Sequence, residues 1–210
     1  ADIITPWGEG KLNCPLLGEF NLENTLAMLT ALALMQIPLQ DILAAIADLS
    51  SAPGRLETFK SSAGKTIIVD YAHTPDALER ALIALRKHFP GKKLHCIFGC
   101  GGQRDTGKRA LMGEAAARHA DYITLTNDNP RSEDPDLIIN AIKEGIDGHK
   151  PTVIEQNRAI AIEQTICNAE NSDIILVAGK GHETQQIIAD KKIEFSDREF
   201  IKKLINHANT

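Results

Sequence analysis

From residue 66 onward, short apolar runs rich in β-branched side chains alternate with longer stretches whose apolar residues recur every three or four positions. The runs at 66–69, 94–98, 122–125, 152–154 and 173–178 predict strands, and the stretches near 75–88, 108–119, 135–145 and 158–169 predict amphipathic helices. Near-continuous apolarity within a run marks a strand covered on both sides. The predicted fold is therefore α/β: a parallel sheet with helices on both faces. Two helix starts are written locally, Thr74-Pro75 and Asp134-Pro135, each a capping side chain followed by a proline at the first helical position. A hairpin of 186–188 with 193–195, and a last helix opened by a Ser196-x-x-Glu199 capping box, complete the pattern.

The first fifty-odd residues differ. Residues 1–5 read as a strand, and Leu26, Leu29, Ala33 and Leu34 recur at helical spacing until Pro38 stops that helix. A short second helix follows around Ile42, Leu43 and Ile46, and Ser50-Ser51-Ala52-Pro53-Gly54 then reads as a breaker between domains. The expected division is residues 1–55 and 56–210.

Composition narrows the function classes. With 210 residues, 43% of them hydrophobic, the chain can bury a core. A net charge of −5 and no Lys/Arg-rich run argue against nucleic acid as a partner. No apolar stretch is long enough to span a bilayer, so no membrane partner is expected. The cysteines, Cys14, Cys96, Cys100 and Cys167, form no CxxC pair, which argues against structural zinc or a disulfide framework and makes a cytoplasmic location the expectation. The absence of an initial Met suggests a piece of a longer protein.

Ligands of such sheets bind beyond the carboxyl ends of the strands, and polar residues concentrate there. The segments are Asp70-Tyr71-Ala72-His73-Thr74-Pro75-Asp76, Gly99-Cys100-Gly101-Gly102-Gln103-Arg104-Asp105, Asn127-Asp128-Asn129-Pro130-Arg131 and Gly179-Lys180-Gly181-His182-Glu183. Any one alone satisfies the needs of a turn and a cap; together on one edge they predict a ligand cleft. Gly102-x-x-x-x-Gly107-Lys108 lacks the Ser/Thr of a P-loop because Arg109 stands there, and neither glycine-rich loop carries the third glycine of a dinucleotide fingerprint. A guanidinium in the stiff Asp128-Asn129-Pro130-Arg131 loop offers a fork for a carboxylate, and Asp128 or Glu183 could pair with an ammonium, which suits an amino acid. A lone arginine more commonly pairs on the surface, here with Asp134 or Glu133; Arg104 on a neighbouring loop shifts that balance. His73 and His182 have no local nucleophile to serve and receive no base role. Cys96 and Cys100 read as core and strand-edge residues.

These motifs, preceded by Gly18-Glu19-Phe20-Asn21-Leu22-Glu23-Asn24 and Pro53-Gly54-Arg55-Leu56-Glu57, together resemble the Mur ligases. The resemblance implies a three-domain cytoplasmic enzyme of peptidoglycan precursor synthesis, serving cell wall biogenesis, cell shape and division. It assigns residues 1–55 to the tail of the central ATP-binding domain and 56–210 to the C-terminal Rossmann-like domain. The implied reaction is ATP-dependent addition of meso-2,6-diaminopimelate to the D-glutamyl residue of UDP-N-acetylmuramoyl-L-alanyl-D-glutamate through an acyl phosphate. Carried over residue by residue, the acceptor site is Arg104, Asp128, Asn129, Pro130, Arg131, Gly179 and Glu183, and the ATP site includes Asn21, Asn24, Arg55, Asp70 and His73. The P-loop, the Mg²⁺ ligands and the domain for the UDP-linked dipeptide are expected upstream, so no catalytic or metal-binding residue is assigned within the chain, which is expected to be inactive alone. Competing readings are a non-catalytic amino-acid-binding module, a lysine-adding or folylpolyglutamate-type relative, and a nicotinamide-dependent oxidoreductase.

Overall fold

The computed structural model describes residues 1–146, 148–189 and 191–207, with the side chain of His207 left out. The chain divides into two compact units, Ala1–Ser51 and Ala52–Thr210. The division falls a few residues before the expected boundary at 55. The reason is local: within Ala52–Thr210, Gly54 N–H donates to Glu57 Oε2 and Leu56 N–H to Asp70 Oδ2.

In the first unit, β1 (Asp2–Thr5) and β2 (Gly8–Lys11) pair antiparallel, and α1 (Glu19–Leu34) and α2 (Leu39–Ala47) follow. The first helix ends before Pro38. Gln36 takes a left-handed φ of 64° and Ile37 N–H reaches back to Leu32 O, closing the last turn as a Schellman motif. Leu29 and Ala33 meet Leu39, Ile42, Leu43 and Ile46 in one small core. Each large aliphatic side chain there gains about 1.5–3 kcal/mol from burial.

The second unit is built on a six-stranded sheet. Its elements are β3 (Glu57–Lys60), β4 (Thr66–Asp70), α3 (Pro75–His88), β5 (Leu94–Phe98), α4 (Lys108–His119), β6 (Tyr122–Leu125), α5 (Pro135–Lys143), β7 (Thr152–Ile154), α6 (Arg158–Asn168), β8 (Ile174–Ala178), the hairpin β9 (Gln185–Ile188) with β10 (Lys191–Glu194), and α7 (Asp197–His207). Strand order is β3-β4-β8-β5-β6-β7, parallel from β4 through β7 with β3 antiparallel at one edge. The mostly parallel α/β fold is thus as expected. The edge strand β3 was not anticipated, because four residues with one buried side chain, Phe59, carry no readable period.

Alternation along the strands divides the core. Ile67, Val69, Ile97, Ile175 and Val177 pack with Ile162 and Ala161 of α6 and Ile201 of α7. Ile68, Leu176, Cys96 and Phe98, equally buried, point to the other face, where α3, α4 and α5 pack on one another. Both cysteines at the β5 end are core residues, and burial pushes the Cys100 thiol up to about 12.

The local start signals form as written. Thr74 Oγ1 accepts Ala77 N–H and Asp134 Oδ1 accepts Asp136 N–H. The box at α7 forms in one direction: Ser196 Oγ accepts Glu199 N–H, while the Glu199 carboxylate takes Lys202 Nζ at 2.9 Å. Helix α5 stops at Lys143, short of the expected 145. A side chain on Gly145 would run into Ala110 O of α4, so this turn is held by close backbone approach.

Candidate functional site

Because β8 inserts between β4 and β5, the chain leaves β4 for a strand two places away and returns later, and a crevice opens where the order reverses. The loops after β4, β5, β6 and β8 meet there. A cleft of about 480 Å³ is lined by residues of all four, among them His73, Arg104, Asp128, Asn129, Arg131, Gly179 and Glu183. Every expected acceptor-site residue except Pro130 therefore lines one cleft; Pro130 is buried, with its carbonyl against Gly102.

Arg131 is not the surface residue of the simpler reading. Its backbone is left-handed, φ 54°, and is gripped by the hairpin: Arg131 N–H donates to Ile187 O and Arg131 O accepts Ala189 N–H. Its Nη1 donates to Gly102 O at 2.8 Å and Asn129 O at 3.3 Å. It pairs with no carboxylate among the described residues. Glu133 is taken by Arg109, and Asp134 caps α5.

Another part of the cleft wall is acidic. Asp128 is 8% exposed; its Oδ1 is buried without a hydrogen bond, 3.7 Å from Lys180 Nζ. Burial pushes its carboxyl above the usual range, although Arg158 and Lys180 work against that. For Glu183, burial acts in the same upward sense, but the hydrogen bond and charge of Lys180, with a bond from Asn129, outweigh it and hold the carboxyl below the usual range. The left-handed Gly179, φ 110°, brings the β8 loop beside Asp128 with no Cβ between them.

The expected nucleotide residues are distributed differently. Asn21 and Asn24 lie on α1 of the first unit, where Asn21 Nδ2 donates back to Leu17 O. In the second unit, the Arg55 guanidinium lies 4.7 Å over the Tyr71 ring, which also contacts the rings of His73 and His182. Asp70 is turned inward: its two oxygens accept Leu56 N–H and Ala72 N–H, both at 2.8 Å, so it braces the loop from beneath. Gly54 and Gly181 press so closely that a Cβ on Gly54 would overlap the Gly181 backbone.

Four groups escaped the sequence reading. Lys180 is completely buried under the acidic wall, Gln186 Nε2 donates to Asn127 O and Asp128 O, and Arg158 with Asp197 forms a buried pair beneath the same loops. The fourth is Arg109–Glu133, a bidentate pair at 2.6 and 2.8 Å whose carboxylate also accepts Gln103 N–H and so joins the loops after β5 and β6. Only Lys180 carried a signal, a lysine between two glycines at a strand's carboxyl end. Among the described residues no three His, Cys, Asp or Glu side chains are grouped to hold a metal, and Lys180 occupies the space between the two carboxylates of the wall.

The Arg109–Glu133 pair makes a pH prediction. Arginine hydrogen bonds lower the Glu133 carboxyl from its ordinary 4.5 to about 2. A depressed folded-state value means stability that is complete above the ordinary value and lost as pH falls toward the depressed one. Glu133→Gln should abolish that acid-side loss between 4.5 and about 2 and, by removing the counter-charge of Arg109 in a part-buried pair, cost about 1.5 kcal/mol at neutral pH. Urea unfolding at pH 7 and in that acid window measures both, and a variant with the parent's stability and pH dependence would refute the assignment.

No helix among the described residues is long and apolar enough to cross a membrane. Comparison with known proteins gives a consistent result. Residues 54–181 match the family described as "Mur ligase, glutamate ligase domain". The chain is 49% identical over 205 residues to the UDP-N-acetylmuramoyl-L-alanyl-D-glutamate–2,6-diaminopimelate ligase of Coxiella burnetii, covering 98% of this chain and 42% of that protein. A solved structure of a ligase with the same description superposes with a TM-score of 0.77 at 38% identity, covering 100% of this chain and 43% of the other. A folylpolyglutamate synthase from Thermotoga maritima, TM-score 0.66 at 21% identity over 85% of this chain and 40% of its own, shares the fold. The chain thus spans about two fifths of the length of the relatives it matches. With the family match running through more than half its residues, and through the loops after β4, β5 and β6 that build the cleft, the chain belongs to the Mur ligase family.

Proposed function

We propose that this chain supplies the acceptor amino-acid site of an ATP-dependent ligase that adds meso-2,6-diaminopimelate to the D-glutamyl residue of UDP-N-acetylmuramoyl-L-alanyl-D-glutamate. The carrying observation is the charge arrangement of the cleft: the Arg131 guanidinium stands with Arg104 in the same cleft as the carboxylates of Asp128 and Glu183. A zwitterionic amino-acid head needs both signs in one place, and a second carboxylate on the ligand explains an arginine fork. The names of the relatives point to the same acceptor.

In the proposed reaction ATP converts the D-glutamyl carboxylate into an acyl phosphate, and an amine of the acceptor attacks its carbonyl carbon. The C–N bond forms, the C–O bond to phosphate breaks, and the amine's proton is lost to solvent. For this chain the task is binding: Asp128 and Glu183 accept from an ammonium, Arg131 and Arg104 donate to carboxylate, and the amine is thereby held for attack. Residues 1–55 are read as the tail of the central ATP-binding domain, 56–210 as the C-terminal domain, and Asn21, Asn24, Arg55, Asp70 and His73 as nucleotide-side residues. Mg²⁺, which offsets charge on nucleotide phosphates, finds no matching donor set among the described residues, and no step here runs through it. The cytoplasm, where ATP and nucleotide-linked precursors are found, is the proposed location.

An acceptor-selectivity assay on the complete ligase tests this reading. With meso-diaminopimelate against L-lysine, kcat/KM should favour the former by at least about tenfold, the value of one charge-assisted fork. Equal use of the two, or preference for lysine or glutamate, would refute it.

A further inference from the structure

Lys180 is fully buried, yet its side chain ends among polar groups from three segments of the site. Its Nζ donates to Gln185 O at 2.7 Å, Glu183 Oε2 at 2.9 Å and Asn129 Oδ1 at 3.3 Å. Three acceptors take three hydrogens, so the group is an ammonium held in a complete cage and has no lone pair with which to act as base or nucleophile. The cage orients its neighbours. Asn129 Oδ1 receives both Lys180 and Ile187 N–H, which turns Asn129 Nδ2 onto Glu183 Oε2 at 3.1 Å. Glu183 Oε2 is thereby taken twice, and Oε1 makes no hydrogen bond among the described residues.

Charge is arranged by the same contacts. Asp128 and Glu183 bring two negative charges to the wall, and Lys180 cancels one. Beneath, the formal charges of Arg158 and Asp197 sum to zero, although Arg158, followed by Lys180, acts more strongly on Asp128 than Glu183 or Asp197 does. Arg104, Asp105, Lys108, Arg131 and His73 line the rest of the cleft. The acidic wall thus carries a net single negative charge, the complement of one ammonium.

We propose that Lys180 is a positioning residue that sets the acidic wall to one net negative charge and fixes Glu183 and Asn129, so that one ligand ammonium binds without proton uptake or release. The inference rests on the reading of the cleft as an amino-acid site. Without the ammonium between them, the half-buried Glu183 carboxylate would raise the proton affinity of the buried Asp128, and an incoming cation would have to displace the proton taken up.

The test uses Lys180→Met in the complete ligase, which keeps the aliphatic stem and deletes the charge. Acceptor KM should rise about ten- to a hundredfold near neutral pH while the KM for ATP stays within about twofold. Because binding to the variant releases a proton, the ratio of variant to parent acceptor KM should fall as pH rises from about 6 to about 8.5. A merely structural role lowers the active fraction with no such trend, and a flat ratio overturns the proposal. If Lys180→Met yields no soluble protein, Lys180→Met/Glu183→Gln restores the net charge of the wall. That variant should be soluble with a flat ratio, and insolubility or a persisting trend counts against the charge balance. Parent turnover keeps the two readings apart. A parent that takes L-lysine or L-glutamate instead of meso-diaminopimelate fails the functional reading, while the same ratio on that acceptor still decides Lys180; a parent that uses none of the three overturns both.

Discussion

Arg131→Ala in the complete ligase should raise the KM for meso-diaminopimelate by about ten- to a hundredfold and leave the KM for ATP nearly unchanged, because a charge-assisted fork in a closed site contributes about 1.5–3 kcal/mol. The structure sharpens this expectation in two ways. The guanidinium is already oriented through Nη1 by the carbonyls of Gly102 and Asn129, so little side-chain freedom is lost on binding. The backbone at 131 is held left-handed by the β9–β10 hairpin, so alanine deletes the fork without freeing the loop. Preference for diaminopimelate over lysine should collapse in the same variant, since lysine has no second carboxylate to lose. Equal effects on both KM values, or an unchanged preference, would remove Arg131 from the acceptor site.

Asp197→Ala should destabilise the second unit by about 3–5 kcal/mol, the loss expected when one partner of a fully buried ion pair is removed. Arg158 and Asp197 are both excluded from solvent and meet through two bonds of 2.8 Å. Alanine leaves a buried guanidinium with no carboxylate, and the deficit is a large share of a typical domain stability of about 5–15 kcal/mol. Arg158→Met/Asp197→Leu should recover most of the loss, since apolar replacement of a buried pair is close to neutral. Urea unfolding of the three proteins measures it; a loss below about 1 kcal/mol for Asp197→Ala would show that the pair is hydrated or dispensable. The pair also underlies the site. Arg158 Nη2 holds Ala178 O at 2.8 Å and Nη1 reaches Asn127 O at 3.5 Å, the last carbonyls before the loops that carry Gly179 and Asp128. The double variant is therefore expected to be stable but weaker toward the acceptor.

Much of the site was legible because it is local. Proline after a capping residue marks the starts of α3 and α5, and polar residues bunched after apolar runs mark the loops that converge at the switch in strand order. The resemblance to Mur ligases, carried by short motifs in order, named six of the cleft's lining residues in addition to His73. What stayed hidden depends on partners far along the chain. Lys180 meets Asn129 across 51 positions, Arg158 meets Asp197 across 39, and Arg109 meets Glu133 across 24. A lysine or arginine in a loop or at a helix start reads as solvated until the fold brings an acid against it. Asp70 illustrates the converse, a loop acid whose oxygens are taken by backbone N–H groups.

The amino-acid sequence by itself determined the alternation of strand and helix, the parallel sheet, the cleft-forming loops and the membership of a ligase family, since hydrophobic period, capping and turn chemistry act over a few neighbouring residues. Tertiary structure alone decided which charges are buried, which of them cancel and which remain to face a ligand. Those outcomes follow from desolvation and from distances of three to four ångströms between residues far apart in the chain, and no short-range pattern encodes them.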